Sequence, residues 1–415
     1  MKKKLIGFII TSFLFIALGV VLYLVNALEY ERNKVEHYRS TIDDMNRLAS
    51  IHYHYNELVR TNKDTRLYEY DSNEFMPVAS VSEGVYFGLS DIEITLETEF
   101  FFIEGLDLFI RYQDVDVVGE ISIDDRWRNY VLFPEEITTT DNVRLYQNDE
   151  LKFSLSFPLT KRIVRKTDYG YYIEFNYDLY FIRHEDVDTI IELEVEEDYA
   201  ESIPVLVYHF IYLEGDTGCN EMICHSERQI REQFSHLRNN DFFTINTTEM
   251  KWFLNEEIML PEDTVLITID DGPRAEHFIP IIEEYSINAT LFLISSWFPK
   301  EKFYSPYMEI ASHTHDLHNT RRCPGGQGSP LRCYDMEILL EDLTMSRSTL
   351  AYTESFAFPF YEYNAHALEA VEKAGFTTAF VGGGRNARVG DDLLRIPRIS
   401  INRNTRIDQF IRIIS

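Results

Sequence analysis

The chain has 415 residues, 45% of them hydrophobic and 14% aromatic, which permits a packed core and argues against wholesale disorder. Its formal net charge of −30 excludes nucleic acid as a natural partner, because phosphate binding needs a basic surface. An acidic surface suits a solvated protein, or one that handles neutral or cationic ligands.

The N-terminus opens with Lys2, Lys3 and Lys4, and an uncharged apolar run follows from Leu5 to Leu28. About 20 such residues span a bilayer as a helix, so residues 1–28 are expected to form a cytoplasmic tip and a single-pass membrane anchor. The lysines stay inside by the positive-inside tendency, which puts everything after Leu28 on the extracytoplasmic side of a bacterial cell membrane. The alternative is a signal peptide cleaved near Val25-Asn26-Ala27, with secretion as the result. Its apolar region should be about 7–15 residues, shorter than this one. Residues 29–67 are charged and helix-compatible, as in a helical stalk leading away from the membrane.

Residues 68–198 change to short runs rich in aromatic and β-branched residues, broken by turn residues. "IEITLETEF" alternates apolar and polar positions as a half-buried strand does. Several strands without intervening helical patterns predict a β-rich, sandwich-like accessory domain, and no catalytic motif falls in it. The acidic tract "IELEVEEDYAES" reads as a last strand running into a linker.

Residues 199–415 alternate continuous apolar runs with helical periods. "IPVLVYHF", "TVLITIDDGP", "ATLFLIS", "SFAFPF", "TTAFVGG" and "LLRIPRISI" are candidate strands buried on both faces. "SERQIREQFSHLRNN", "HFIPIIEEYS", "DMEILLEDLTMSRSTLAY" and "NAHALEAVEKAGF" are candidate helices, the last stopped by Gly375. This alternation predicts an α/β fold with a parallel sheet, of which a barrel is one form, with an active site at the C-terminal ends of the strands.

The four cysteines, Cys219, Cys224, Cys323 and Cys333, lie in polar, loop-like sequence. An exported domain permits disulfides, and the pairs 219–224 and 323–333 would each close a short loop. A structural zinc site is the alternative, although neither pair has the tight spacing typical of one.

Two stretches at strand ends carry chemistry. In "LITIDDGP" the adjacent carboxylates of Asp270 and Asp271 repel when both ionise, a conflict that a bound cation removes. One can then be a ligand and the other a base acting on water. In "SHTHDLH" three of the chain's 12 histidines, His313, His315 and His318, fall within six positions. His315 and His318 could share a helix face, whereas His313 and His318 lie roughly 140° apart on a helix and converge only from an irregular turn. Spacing alone does not choose between these pairs. Two histidines and a carboxylate with an open position form a recurrent catalytic zinc arrangement.

"TIDDGP", "SHTHDLH" and "FAFPFYEYN", in this order, resemble the NodB-homology polysaccharide deacetylases, carbohydrate esterase family 4. The opening "IPVLVYHF" and the i, i+5 histidine spacing resemble the poly-N-acetylglucosamine deacetylase branch in particular. The resemblance covers about residues 202–415. It implies a distorted (β/α) barrel and a divalent metal, most often zinc, with cobalt, nickel and manganese as alternatives. It also implies removal of acetyl groups from an N-acetylglucosamine polymer, whether poly-N-acetylglucosamine, peptidoglycan or a chitin-like glycan.

Carried over by position, Asp270 would be the general base, and Asp271, His313 and His318 the metal ligands, with His315 a neighbour. His209 would protonate the leaving amine. Pro359, Phe360 and Tyr361 would form a groove wall against sugar. Two departures stand out. The wider family carries an arginine two positions before the proline, where it orients the base, and here that residue is Ala357. The C-terminal leucine-x-x-x-histidine motif is also missing, and Arg395 and Arg398 close the domain instead. Both fit the biofilm branch and imply slower catalysis than in fuller family members. A catalytically weak glycan-binding module and an esterase acting on O-acetylated glycan are the competing readings.

Overall fold

The computed structural model describes residues 58–71, 74–89, 100–103, 105–118, 126–195, 198–213 and 221–415. The expected anchor, most of the expected stalk, nearly all of "IEITLETEF" and Cys219 lie outside the described residues. Among the described residues no helix is long and apolar enough to cross a membrane. The chain divides into two compact units, the first comprising 1–124, 138–160 and 174–188 and the second 125–137, 161–173 and 189–415.

The first unit is built from antiparallel strands. Leu58–Thr61 pairs with Tyr86–Gly88 and Val115–Val118 in a small sheet. Thr65–Asp71, Glu74–Val81, Leu108–Arg111, Phe100–Ile103, Glu150–Leu155 and Arg144–Gln147 form a larger one. Phe87 of the small sheet meets Phe153 of the larger one edge to face, with ring centroids 6.0 Å apart. The last part of the expected helical stalk is therefore strand. Val59 is fully buried while Arg60 beside it is exposed, a period of two that a helix cannot satisfy.

The second unit holds seven parallel strands: β1 (Val205–Tyr208), β2 (Thr264–Asp271), β3 (Ala289–Leu293), β4 (Met308–Ser312), β5 (Ser355–Ala357), β6 (Thr378–Gly382) and β7 (Ile396–Ser400). Their order is β1-β7-β6-β5-β4-β3-β2, and β2 pairs back onto β1, so the sheet closes into a barrel. Every residue of β1, β2 and β3 is buried, which is why these strands read as unbroken apolar runs. One residue from each strand fills the interior: Val205, Leu266, Phe292, Ala311, Ala357, Phe380 and Ile396. The opposite faces of β1 to β3 pack against α1 (Glu227–Asn239), α3 (Ile279–Tyr285) and α6 (Ile407–Ile414). The outer faces of β5 and β6 pack against α4 (Met336–Thr349) and α5 (Ala365–Lys373). Gly375 ends α5 at φ +91°, where a side chain would be strained.

Segments well before the barrel also belong to this unit. Arg165 donates twice to Glu257 and stacks over Trp252 at 3.7 Å. Arg126 donates twice to Glu249 on α2 (Thr247–Leu254), and Val131 bridges to Met259.

Candidate active site

Strand alternation delivers the first residues. Leu266, Thr268 and Asp270 share the inner face of β2, and Ile396 and Arg398 share the inner face of β7. Asp270 and Arg398 therefore meet inside the barrel near its C-terminal mouth. Arg398 donates from Nη1 to Oδ1 at 2.6 Å and from Nη2 to Oδ2 at 2.9 Å, a bidentate pair between two buried groups. The guanidinium lies over the rings of Phe292 and Tyr361, 5.5 and 5.3 Å from their centroids. Burial alone would raise the Asp270 pKa, but Arg398 and His313 outweigh it and hold the carboxyl below its usual range.

Neighbouring strand residues point to opposite faces, so Asp271 should turn away from Asp270. It does not, because its backbone adopts φ +78° as the strand ends. Gly272 continues the turn at φ +116°, where a Cβ would sit 2.6 Å from Leu293 Cδ1. The Asp271 carboxylate is thereby aimed at the histidine loop. Its Oδ1 lies 3.3 Å from His313 Nε2 and 3.1 Å from His318 Nε2. One ligand atom from each of Asp271, His313 and His318 falls within 4.8 Å of the others.

Three observations fit this donor set to a divalent ion. His313 Nδ1 contacts the Ala357 carbonyl oxygen at 2.8 Å; a carbonyl only accepts, so the proton belongs on Nδ1 and Nε2 presents a lone pair to the site. Burial would lower the His313 pKa, yet Asp270 and Asp271 raise it. Burial would raise the Asp271 pKa, yet the two imidazoles draw it well below the carboxylate range. The pocket thus favours positive charge between one carboxylate and two imidazoles, the donors zinc prefers.

The loop bearing the histidines leaves β4 through Thr314 at φ +80°. That irregular turn, not a helix, is what lets His313 and His318 converge. His315 points elsewhere and shares a hydrogen bond with Ser295 Oγ at 2.9 Å. Asp342 on α4 accepts the backbone N–H groups of His315 and Asp316 at 2.9 and 2.7 Å, pinning the loop. Phe360 rests on His318 with centroids 4.4 Å apart, in a turn where Phe360 and Tyr361 both have positive φ. Pro359 is buried at the base of that turn. Glu362, next along, accepts from the backbone N–H groups of Gln327 and Ser329 and from Arg332. Those residues belong to a loop closed by the Cys323–Cys333 disulfide, the expected second pair. Cys224 is also disulfide-bonded, and no cysteine among the described residues is free, so the zinc alternative for the cysteines falls.

His209 is half-buried just after β1, with Nδ1 enclosed and lacking a hydrogen-bond partner. Burial pushes its pKa down, against the opposing pull of Asp270 and Asp271. The residue that motif reading passed over is Arg398. Its signal was present as a lone cation in the apolar strand "IPRISI", where an unpaired charge would be prohibitive. Arg398 thus reaches Asp270 from β7, a contact that Ala357, where the resemblance implies an arginine, cannot make.

Residues 258–379 match the family described as polysaccharide deacetylase. A poly-beta-1,6-N-acetyl-D-glucosamine N-deacetylase of Staphylococcus aureus (strain MSSA476) is 24% identical over 216 residues, covering 47% of this chain and 73% of that protein. The solved structure of IcaB from Ammonifex degensii is 20% identical and covers 53% of this chain and 98% of its own, with a TM-score of 0.44. Asp270, Asp271, His313, His318 and the Pro359 turn all fall inside the matched span, whereas His209 and Arg398 lie outside it. Residues 258–379, within the second unit, thus match the polysaccharide deacetylase family, in line with the motif resemblance.

Proposed function

We propose that the protein removes acetyl groups, metal-dependently, from an extracellular N-acetylglucosamine polymer, with a β-1,6-linked chain as the preferred substrate. The observation that carries this reading is the convergence of Asp271, His313 and His318 beside an aspartate locked by a buried arginine. The S. aureus relative, named for that same polymer, supports the choice of substrate.

Asp271, His313 and His318 would hold the ion. A divalent cation there, zinc first and cobalt, nickel or manganese next, supplies polarisation of the acetyl carbonyl and acidification of an attacking water. Asp270, kept ionised by Arg398, takes the water's proton as the oxygen bonds to the amide carbon. A backbone N–H of the "FPFY" turn, which stands beside His318 through Phe360, would meet the developing negative charge. The proton that Asp270 takes from the water is the one the departing nitrogen needs, and His209, whose pKa burial lowers, would relay it there. The carbon–nitrogen bond breaks, giving acetate and a free amine on the sugar. A glycan-binding module without turnover has no use for the buried Arg398–Asp270 pair. The apolar run of residues 5–28 and the Cys323–Cys333 disulfide support an extracytoplasmic, membrane-anchored location.

The test is acetate release by residues 29–415 from β-1,6- and β-1,4-linked N-acetylglucosamine oligomers, with zinc, cobalt or a chelator. Release from the β-1,6 oligomer should require metal. Asp270→Asn should keep the metal and lose on the order of 100-fold or more in kcat, whereas Asp271→Ala should lose metal and activity together. Equal metal occupancy in wild type and Asp271→Ala would sink the ligand assignment, and no acetate from any oligomer would sink the reaction.

A further inference from the structure

Two rings from different loops contact the His318 imidazole. Phe360, from the turn after β5, lies 4.4 Å away between centroids, and Trp297, from the loop after β3, meets it edge-on at 5.6 Å and 76°. Phe360 already has a place in the expected groove wall, while Trp297 has had no role. Its backbone is firmly held, since Trp297 N–H donates to the Ile294 carbonyl at 3.0 Å and Ser296 N–H to the His315 carbonyl at 3.1 Å. Ser296 Oγ adds a bond to Asp316 at 3.2 Å, so the Trp297 loop is fastened to the loop that carries the ligands.

The side chain on this fixed stem nevertheless remains 45% exposed. Indole is the largest side chain, and leaving nearly half of it in water forgoes burial that a free loop would recover by folding down. The pinned backbone keeps the ring standing beside the mouth of the site. A hexopyranose has an apolar C–H face that matches such a ring, and a neutral acetamido sugar incurs no repulsion from this acidic protein.

We propose that Trp297 is a stacking platform for a sugar next to the one whose acetamide reaches Asp270, and that it makes the site favour oligomers over single sugars. This rests on reading the barrel as a glycan deacetylase. Trp297 acts on binding and not on the bonds that change, so its loss should appear in KM and spare kcat. Metal binding should be untouched, because the indole meets only the edge of His318 and supplies no ligand atom.

The experiment compares wild type, Trp297→Ala and Trp297→Phe on two readouts. In acetate release from the β-1,6-linked N-acetylglucosamine pentasaccharide with zinc, Trp297→Ala should raise KM about tenfold with kcat nearly unchanged, and Trp297→Phe should recover most of the loss. For the monosaccharide the two variants should match wild type. In metal-free protein, the pentasaccharide should quench and blue-shift the wild-type tryptophan emission. Trp297→Phe, which retains Trp127 and Trp252, should show no such change. An unaltered KM in Trp297→Ala, or the same emission change in Trp297→Phe, overturns the proposal. If wild type releases no acetate, the deacetylase reading falls separately and the fluorescence titration alone decides the platform, with a flat wild-type response counting against it.

Discussion

Arg398 brings a full charge to a place with 1% of its surface exposed. Taking a guanidinium and a carboxylate out of water is expensive, and the pair is tolerable only because both nitrogens meet both oxygens. Removing one partner strands the other. Arg398→Met should therefore destabilise the fold by roughly 3–5 kcal/mol in urea titrations and abolish acetate release. Adding Asp270→Leu should restore part of the stability and none of the activity, and an Arg398→Met protein as stable as wild type would show that the pair does not hold Asp270. At this scale the sequence was partly legible. Asp270, Asp271 and the three histidines of "SHTHDLH" stood out by residue type at strand ends, but spacing left the histidine pair open and only the family resemblance pointed to His313 and His318. Arg398 was visible as a misplaced cation, but its partner was not, since 128 positions separate them and only barrel closure brings them together. The backbone reversal that lets adjacent aspartates serve one site was hidden as well. A φ of +78° at Asp271 is a local conformation that no residue type announces.

At the scale of elements, the histidine loop depends on a helix that contributes no ligand. Asp342 on α4 collects two backbone N–H groups from the middle of "SHTHDLH", and burial raises the pKa of its carboxyl. Asp342→Ala should loosen the loop and weaken zinc binding about tenfold, with little change in the unfolding midpoint. Calorimetric zinc titration against a thermal melt separates those effects, and a large drop in the melt without weaker binding would make Asp342 merely structural. Strands β1, β2 and β3 were readable because burial on both faces leaves continuous apolar runs. Strand β4 was harder, because Glu309 interrupts it. That charge is accommodated by the Thr247 N–H and hydroxyl and the Thr290 hydroxyl, from elsewhere in the fold. Helix α2 escaped notice for a similar reason. It is eight residues long, and its buried Glu249 finds Arg126 and Tyr130 from more than a hundred residues earlier.

At the scale of the whole molecule, one buried histidine ties folding to acidity. His225 is fully buried, and burial, reinforced by His209, pushes its pKa down to about 3. The same imidazole titrates near 6.5 in the unfolded chain, so between those values the unfolded state binds the extra proton. The stability contributed by keeping His225 neutral is complete above about pH 6.5 and is lost at roughly 1.4 kcal/mol per pH unit below it. Urea midpoints should thus fall on acidification from pH 6.5 towards 4.5, and His225→Phe should flatten that slope. An identical slope in the variant would assign the acid sensitivity to other groups.

The closing strand of the barrel has a consequence for how the protein is made. β7 lies between β1 and β6, and of the seven barrel strands it is the last to be synthesised. Asp271, His313 and His318 are all synthesised before it, so a nascent chain carries the proposed metal-holding residues while Asp270 still lacks its cation and the barrel still has an open seam. On the proposed mechanism, competence to react would await residues 396–400, the strand that also closes the barrel. A chain that ends short of Arg398 is thereby marked as defective by its own buried, unmatched carboxylate.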